Sequence, residues 1–551
     1  VMAKYKMHVL VDNGSGASGT LNFSYLDIEN TSSGTALLVD EHTGTVKLNE
    51  VKVNSTGGKG AQFGDGNPIA GSVTITNSSF NQNGSTGLEI HSTNLATLTG
   101  VSASYNAGDG SYFHTRGALI LNSVFSNNDS NAGNFGLRYL SNGTSNLTLE
   151  NVQLNNNDAI GLYAQRVEGN VSLKNVRADE NGSSGVHIDT CDWNGTACQN
   201  SGSGNITITS SQMEDNGNET VHHGLYIVGA KGSVTLTSVW VGNSGDDETA
   251  SGGAYIDNHY SPAASPITIT DSGFVDNHFG GLHVISKGLI TLKDINVSNN
   301  QGASFGALLN NAQTGATAGI SLLNSTGRGN NINNNTASAA GLVVTTHGSV
   351  IMNSTYANNT IGGFGVDISI TSPSAAPVTI NRGGFDNNTD GGLNVYSLGA
   401  ITVNLTDGSA NNNSGVGARG MKLENYDALT PKPVTVDGGT YNNNSGGGLE
   451  IQSDGVITVK NIEAGSNLNN NPGAWLNNIN SPSKASISVT TTRSDYTTSF
   501  NNNTGYGLHI QSAGSITLNR INADENNDDG AHLVNTQTGS TGGVTVTNSN
   551  F

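Results

Sequence analysis

Apolar residues along this chain come in short runs that alternate with polar ones. From Gly448 to Asn471 it reads GLEIQSDGVITVKNIEAGSNLNNN, with three apolar runs, glycines at the bends and asparagines at the end. Alternation with period two and β-branched residues predicts strands, and apolar positions at helical spacing are missing.

The same phrase recurs through the sequence. A strand of form G-a-x-a, where a is apolar, begins at Gly87, Gly136, Gly161, Gly185, Gly224, Gly253, Gly281, Gly306, Gly341, Gly365, Gly392, Gly420, Gly448, Gly473, Gly507 and Gly530, with weaker copies near Gly60 and Gly110. Most spacings are 23 to 29 residues. A second strand follows in each copy, as in LTLENVQL, ITLKDINV and ITVKNIEA, and then a bend rich in asparagine such as Asn155–Asn157 or Asn501–Asn503. A period in the twenties built of strands and bends predicts a β-solenoid, because one coil cannot bury its apolar side and stacked coils can. Gly and Asn both tolerate the left-handed backbone of a sharp corner. Asparagines stacked at one corner can also hydrogen-bond from coil to coil.

The pattern N-x-x-x-G-a-x-a followed by I-T-a-x-N resembles the repeat of right-handed parallel β-helix proteins, a scaffold shared by pectate-lyase-like enzymes, epimerases, phage tailspikes and bacterial surface adhesins. The resemblance covers nearly the whole chain and implies architecture, since one scaffold hosts many activities. The expected fold is all-β: one elongated right-handed solenoid over residues 1–551, of about 19 to 20 coils and on the order of 90–100 Å long by the inter-strand spacing. An insertion over 189–203 is expected as a loop. From Gly185 onward the turn after G-a-x-a alternates short, as in SKG or SDG, with long, as in NNAQTGATAG or NNINSPSKAS. Gly253 to Gly306 and Gly420 to Gly473 each span 53 residues, so the repeating unit is two coils.

Charge narrows the partners. Acidic residues number 42 against 22 basic, a net charge of -20, which argues against nucleic acid and anionic membrane surfaces. No run of 18 apolar residues suggests insertion into a bilayer. The two cysteines, Cys191 and Cys198, lie in the insertion, and either a disulfide closing a small loop or two free thiols fits them. The disulfide would suit an oxidising, extracellular location. More than twenty N-x-S/T sequons, among them Asn77, Asn146, Asn205, Asn296 and Asn404, permit glycosylation there.

Two constellations carry candidate chemistry. Asp179, Glu214, Asp215, Asp246 and Asp276 follow the second strand on successive coils. They read either as oxygen ligands for Ca²⁺ or as a solvated acidic edge. Arg177 is the nearest basic residue in sequence. No catalytic motif, phosphate loop or His/Cys metal cluster is present, and no cofactor is required. The second constellation is the x of G-a-x-a, which points outward because its neighbours point in. It reads Tyr112, Arg138, Tyr163, His187, Tyr226, Tyr255 and His283, and further on Lys422, Glu450, Trp475, His509 and His532. Such a column is either a recognition face for glycan or a neighbouring copy, or a stacking ladder that stabilises the sheet.

The expected function is an extracellular structural or adhesive fibre, with end-to-end or lateral contacts between copies and carbohydrate as a further partner. Both ends of the chain begin or stop in strand-like sequence, which suggests coil-on-coil assembly or a longer parent chain. The rival readings are a polysaccharide lyase, hydrolase or epimerase, and a glycan binder of the tailspike kind.

Overall fold

The computed structural model describes residues 8–12, 18–127, 134–193, 198–199, 204–217, 223–245, 252–260, 264–370, 375–428, 430–494, 496–535 and 542–551. Every regular element among them is a strand, and the chain divides into two compact units, Val1–Gly281 and Leu282–Phe551. Each is a parallel β-solenoid.

In the first unit the G-a-x-a strands stack in one parallel sheet, for example Leu137–Gly143 on Leu162–Val167 on Val186–Asp189 on Leu225–Val228. The second strands stack in another, for example Leu119–Phe125, Leu147–Gln153 and Val171–Arg177. Short third strands such as Gln212–Glu214 and Trp240–Gly242 complete the coil. The second unit repeats the plan, as in Arg419–Asn425, Leu449–Ser453, Ala474–Asn478 and Leu508–Ser512.

The alternating pattern sets which side faces in. Leu147, Leu149, Val152, Leu162 and Ala164 are fully buried, while Thr148, Glu150 and Tyr163 between them reach outward. Each buried Leu, Ile or Val contributes about 1.5–3 kcal/mol, and a one-residue slip would turn the whole set outward, so register is firmly fixed.

The two corners that follow Leu147–Leu149 are each one residue in the left-handed conformation. Asn151 bends the second strand at φ 56°, and Asn156 ends the third at φ 58°. The same corner is made by Asp215, Asp276, Asn387, Asn443 and Asn502, residues that bear this backbone better than β-branched ones. The next residue starts an asparagine ladder inside the coil. In the first unit Asn157 Nδ2 donates to Asn181 Oδ1 at 2.9 Å, and Asn181 donates likewise to Asn216 at 2.9 Å. In the second unit Asn413, Asn444, Asn467, Asn503 and Asn526 form a continuous chain of the same bonds.

The repeat glycine differs from its sequence expectation. None from Gly136 to Gly253 or from Gly306 to Gly530 in the G-a-x-a series has a positive φ. Space is what demands it: a Cβ on Gly161 would lie 2.8 Å from Asn181 Nδ2 and 2.7 Å from the Gly185 carbonyl oxygen. The glycine lets the ladder amide and the next coil approach the backbone.

Candidate functional site

The outward column of the first unit is continuous. Register places Tyr112, Arg138, Tyr163, His187, Tyr226 and Tyr255 opposite one another on successive strands. Neighbouring rings touch. The Arg138 guanidinium carbon lies 5.1 Å from the Tyr112 ring centre, Tyr163 and His187 meet edge-on at 4.9 Å, and His187 and Tyr226 do so at 4.7 Å. Tyr226 and Tyr255 stack at 5.2 Å. His283 belongs to the second unit, where its ring meets Phe305 edge-on at 5.4 Å.

Two residues outside the repeat position join the column. Phe135 stacks on Tyr163 at 5.3 Å, and His223 stacks on Tyr226 at 5.3 Å. Each stands immediately before a repeat glycine, so the turn carries its ring back over the sheet.

The half-buried rings make a ridge between two clefts. One, of about 400 Å³, is bordered by Tyr163, His187, Tyr226 and Tyr255, with Asp189, Asp257 and Tyr260 on its far side. The other, of about 340 Å³, is bordered by the same Tyr163, His187 and Tyr226 with Phe135, Ile160 and His223. Asp257 accepts from the His259 backbone N–H at 2.9 Å and meets His259 Nδ1 at 2.6 Å. Asp189 accepts from the Cys191 N–H at 2.9 Å. Burial raises the phenol pKa of Tyr163, Tyr226 and Tyr255, and nearby Asp189 or Asp257 adds to the effect. These tyrosines therefore present neutral O–H groups beside two carboxylates.

The acidic residues occupy the corner in two different roles. Asp179 takes the place of an asparagine and accepts the Glu214 backbone N–H at 2.9 Å, with Arg177 paired to its other oxygen. Burial nonetheless raises its pKa. Asp215 and Asp276 are the left-handed corner residues themselves, at φ 54° and 57°. Asp246 lies outside the described residues. Among the described residues no group of three or more His, Cys, Asp or Glu side chains is placed to hold a metal ion.

Cys191 is buried and disulfide-bonded. The insertion folds back as a small antiparallel pair, Asp192–Trp193 with Cys198–Gln199; the side chain of Cys198 lies outside the described residues.

With the solenoid in view, residues 35–192 match the family model described as the right handed beta helix region. The fold is thus that of a right-handed parallel β-helix, as its repeat implied. No curated protein matches the sequence.

Proposed function

We infer that this chain is a structural or adhesive β-solenoid that acts outside the cell and binds glycan along the first unit's aromatic ridge. One observation carries the reading: a run of Tyr and His rings, half exposed and in contact, with a cleft on either side and hydrogen-bonding carboxylates along one of them. Flat apolar rings with polar edges suit the faces of sugar rings, whose C–H groups stack while their hydroxyls need partners at the side. The disulfide at Cys191 supports the location, because such bonds persist in oxidising compartments.

The test is binding of neutral and uronic-acid oligosaccharides to the full chain, measured by calorimetry. The triple variant Tyr163→Ser, Tyr226→Ser, Tyr255→Ser should bind about tenfold more weakly or worse, with its circular dichroism unchanged. Unchanged affinity would overturn the ridge as a glycan site. Loss of the fold would make the column a stability ladder, and loss of self-association alone would make it a contact between copies.

A hydrolytic reading has one observation in its favour. Asp189 pairs in register with Val228, and Tyr255 with Tyr226, so Asp189 and Asp257 stand two strands apart at one cleft. That is about 10 Å along the sheet. Inverting glycosidases hold their carboxyl groups about 6.5–9.5 Å apart, so this backbone spacing stands just beyond that range and the two side chains would have to lean toward each other. New reducing ends released from the bound oligosaccharides, abolished by Asp189→Asn or Asp257→Asn with binding retained, would establish hydrolysis over binding alone.

A further inference from the structure

The second unit has a pocket of its own, built from other residues. A cleft of about 310 Å³ lies over Glu450, Trp475 and His509 and is flanked by Tyr506 and Arg419. Register sets Glu450, Trp475 and His509 at the outward position of three successive strands. The Trp475 and His509 rings are tilted with centres 6.5 Å apart, and Tyr506 meets His509 edge-on at 5.4 Å. Three aromatic rings therefore converge on one small space.

Its polar groups are set differently from those of the ridge. Glu450 is buried, ion-paired to Arg419, and accepts from Gln452 Nε2 at 2.7 Å. The pair cancels in charge, so the pocket offers an acceptor and a donor without a net field to select an ion. The Trp475 Nε1–H is buried and meets no acceptor among the described residues. An indole N–H withdrawn from water without a partner is costly, and a ligand oxygen would relieve that cost.

We propose that this pocket binds a single uncharged pyranose unit. The sugar face packs on Trp475 and Tyr506, the Trp475 indole turns so that its Nε1–H, closed to solvent in the free protein, donates to a sugar oxygen, and a hydroxyl donates to the Glu450 carboxylate. The volume supports one unit, since it stands at the small end of the about 300–1,000 Å³ of ligand pockets. The site does not depend on the ridge of the first unit and stands whether or not that ridge binds glycan.

The chain has three tryptophans, so Trp193→Phe and Trp240→Phe together leave Trp475 as the sole indole. That protein is titrated with methyl glycosides of neutral hexoses and N-acetylhexosamines, and with glucuronate and galacturonate. A saturable change in indole emission is expected with at least one neutral glycoside and none with the uronates. In calorimetry on the otherwise native chain, Trp475→Phe keeps the ring face, removes the donor and should weaken binding about fivefold. Trp475→Ala should weaken it further. No saturable change up to about 100 mM glycoside, or equal affinity in Trp475→Phe, overturns the proposal. Tighter binding of a uronate overturns the assignment to an uncharged sugar. The phenylalanine variant keeps the test decisive if the alanine variant fails to fold.

Discussion

Within one asparagine run, adjacent residues do three different jobs. Asn501 accepts the Asp524 backbone N–H, Asn502 turns the corner at φ 60°, and Asn503 joins the buried ladder through Asn526. The run and its ladder were legible in the sequence. The division of labour was not, because three identical side chains differ only in the backbone angle each adopts. His509 shows what burial does to a single side chain on the outward column. Partial burial, and then the neighbouring His532, hold its pKa below the ordinary 6.5. The folded state therefore favours neutral imidazole, while the unfolded chain takes up a proton more readily. The stability this gives is fully present above pH 6.5 and is lost as pH falls through the lower folded value. His509→Gln should accordingly flatten the fall in thermal midpoint between about pH 7 and pH 5. An identical pH profile for the variant and the parent would remove His509 as a source of acid sensitivity.

At the level of strand and turn, the glycine that opens each G-a-x-a strand couples the strand to the ladder. A Cβ on Gly473 would lie 2.4 Å from the Ala464 carbonyl oxygen, 2.7 Å from Asn503 Nδ2 and 2.7 Å from the Gly507 carbonyl oxygen. Two of these three are backbone atoms held by the stack. Gly473→Ala should cost about 1–3 kcal/mol, as overpacking does, although Gly→Ala at an unhindered position with negative φ stabilises by about 0.4–1 kcal/mol. The sign of the change in urea midpoint separates the two cases. The turns show how far a pattern can be read. Alternation of short and long turns was visible, but its mechanism lies in pairs of residues. In the short turns Ser453 and Ser512 accept the N–H of Gly455 and Gly514 at 2.9 and 3.2 Å. In the long turn Asn478 Nδ2 donates to the Ala485 carbonyl at 2.8 Å and to Gly455 of the short turn below at 3.2 Å. Asn425 closes another long turn on Lys432 in the same way, at 2.8 Å. The outward column was legible because alternation alone decides it. Phe135, His223 and Tyr506 were not, because they come from turns, and a turn's path over a sheet follows from packing rather than from period.

Across the whole molecule, coil-on-coil pairing makes stability a sum of neighbouring contacts rather than the property of one closed core. Asn413 is a suitable probe, since it is buried at the head of the second unit's ladder. Its Oδ1 accepts the Asn388 backbone N–H at 2.9 Å, and its Nδ2 donates to Asn444 Oδ1 at 2.8 Å. Asn413→Ala leaves the Asn388 N–H buried without that acceptor and breaks the chain of amides. A cost of about 1–3 kcal/mol follows from one buried donor left unmet. A globular domain would spread that loss over all its amides through a single cooperative transition. A solenoid should confine it, because a coil communicates only with the coils above and below. Hydrogen exchange read by mass spectrometry should therefore show faster exchange in peptides from Phe364–Ile370 through Leu449–Ser453, with peptides of the first unit unchanged. Equal acceleration in both units would mean that the 551 residues open as one cooperative body, and nearest-neighbour additivity would not describe this solenoid.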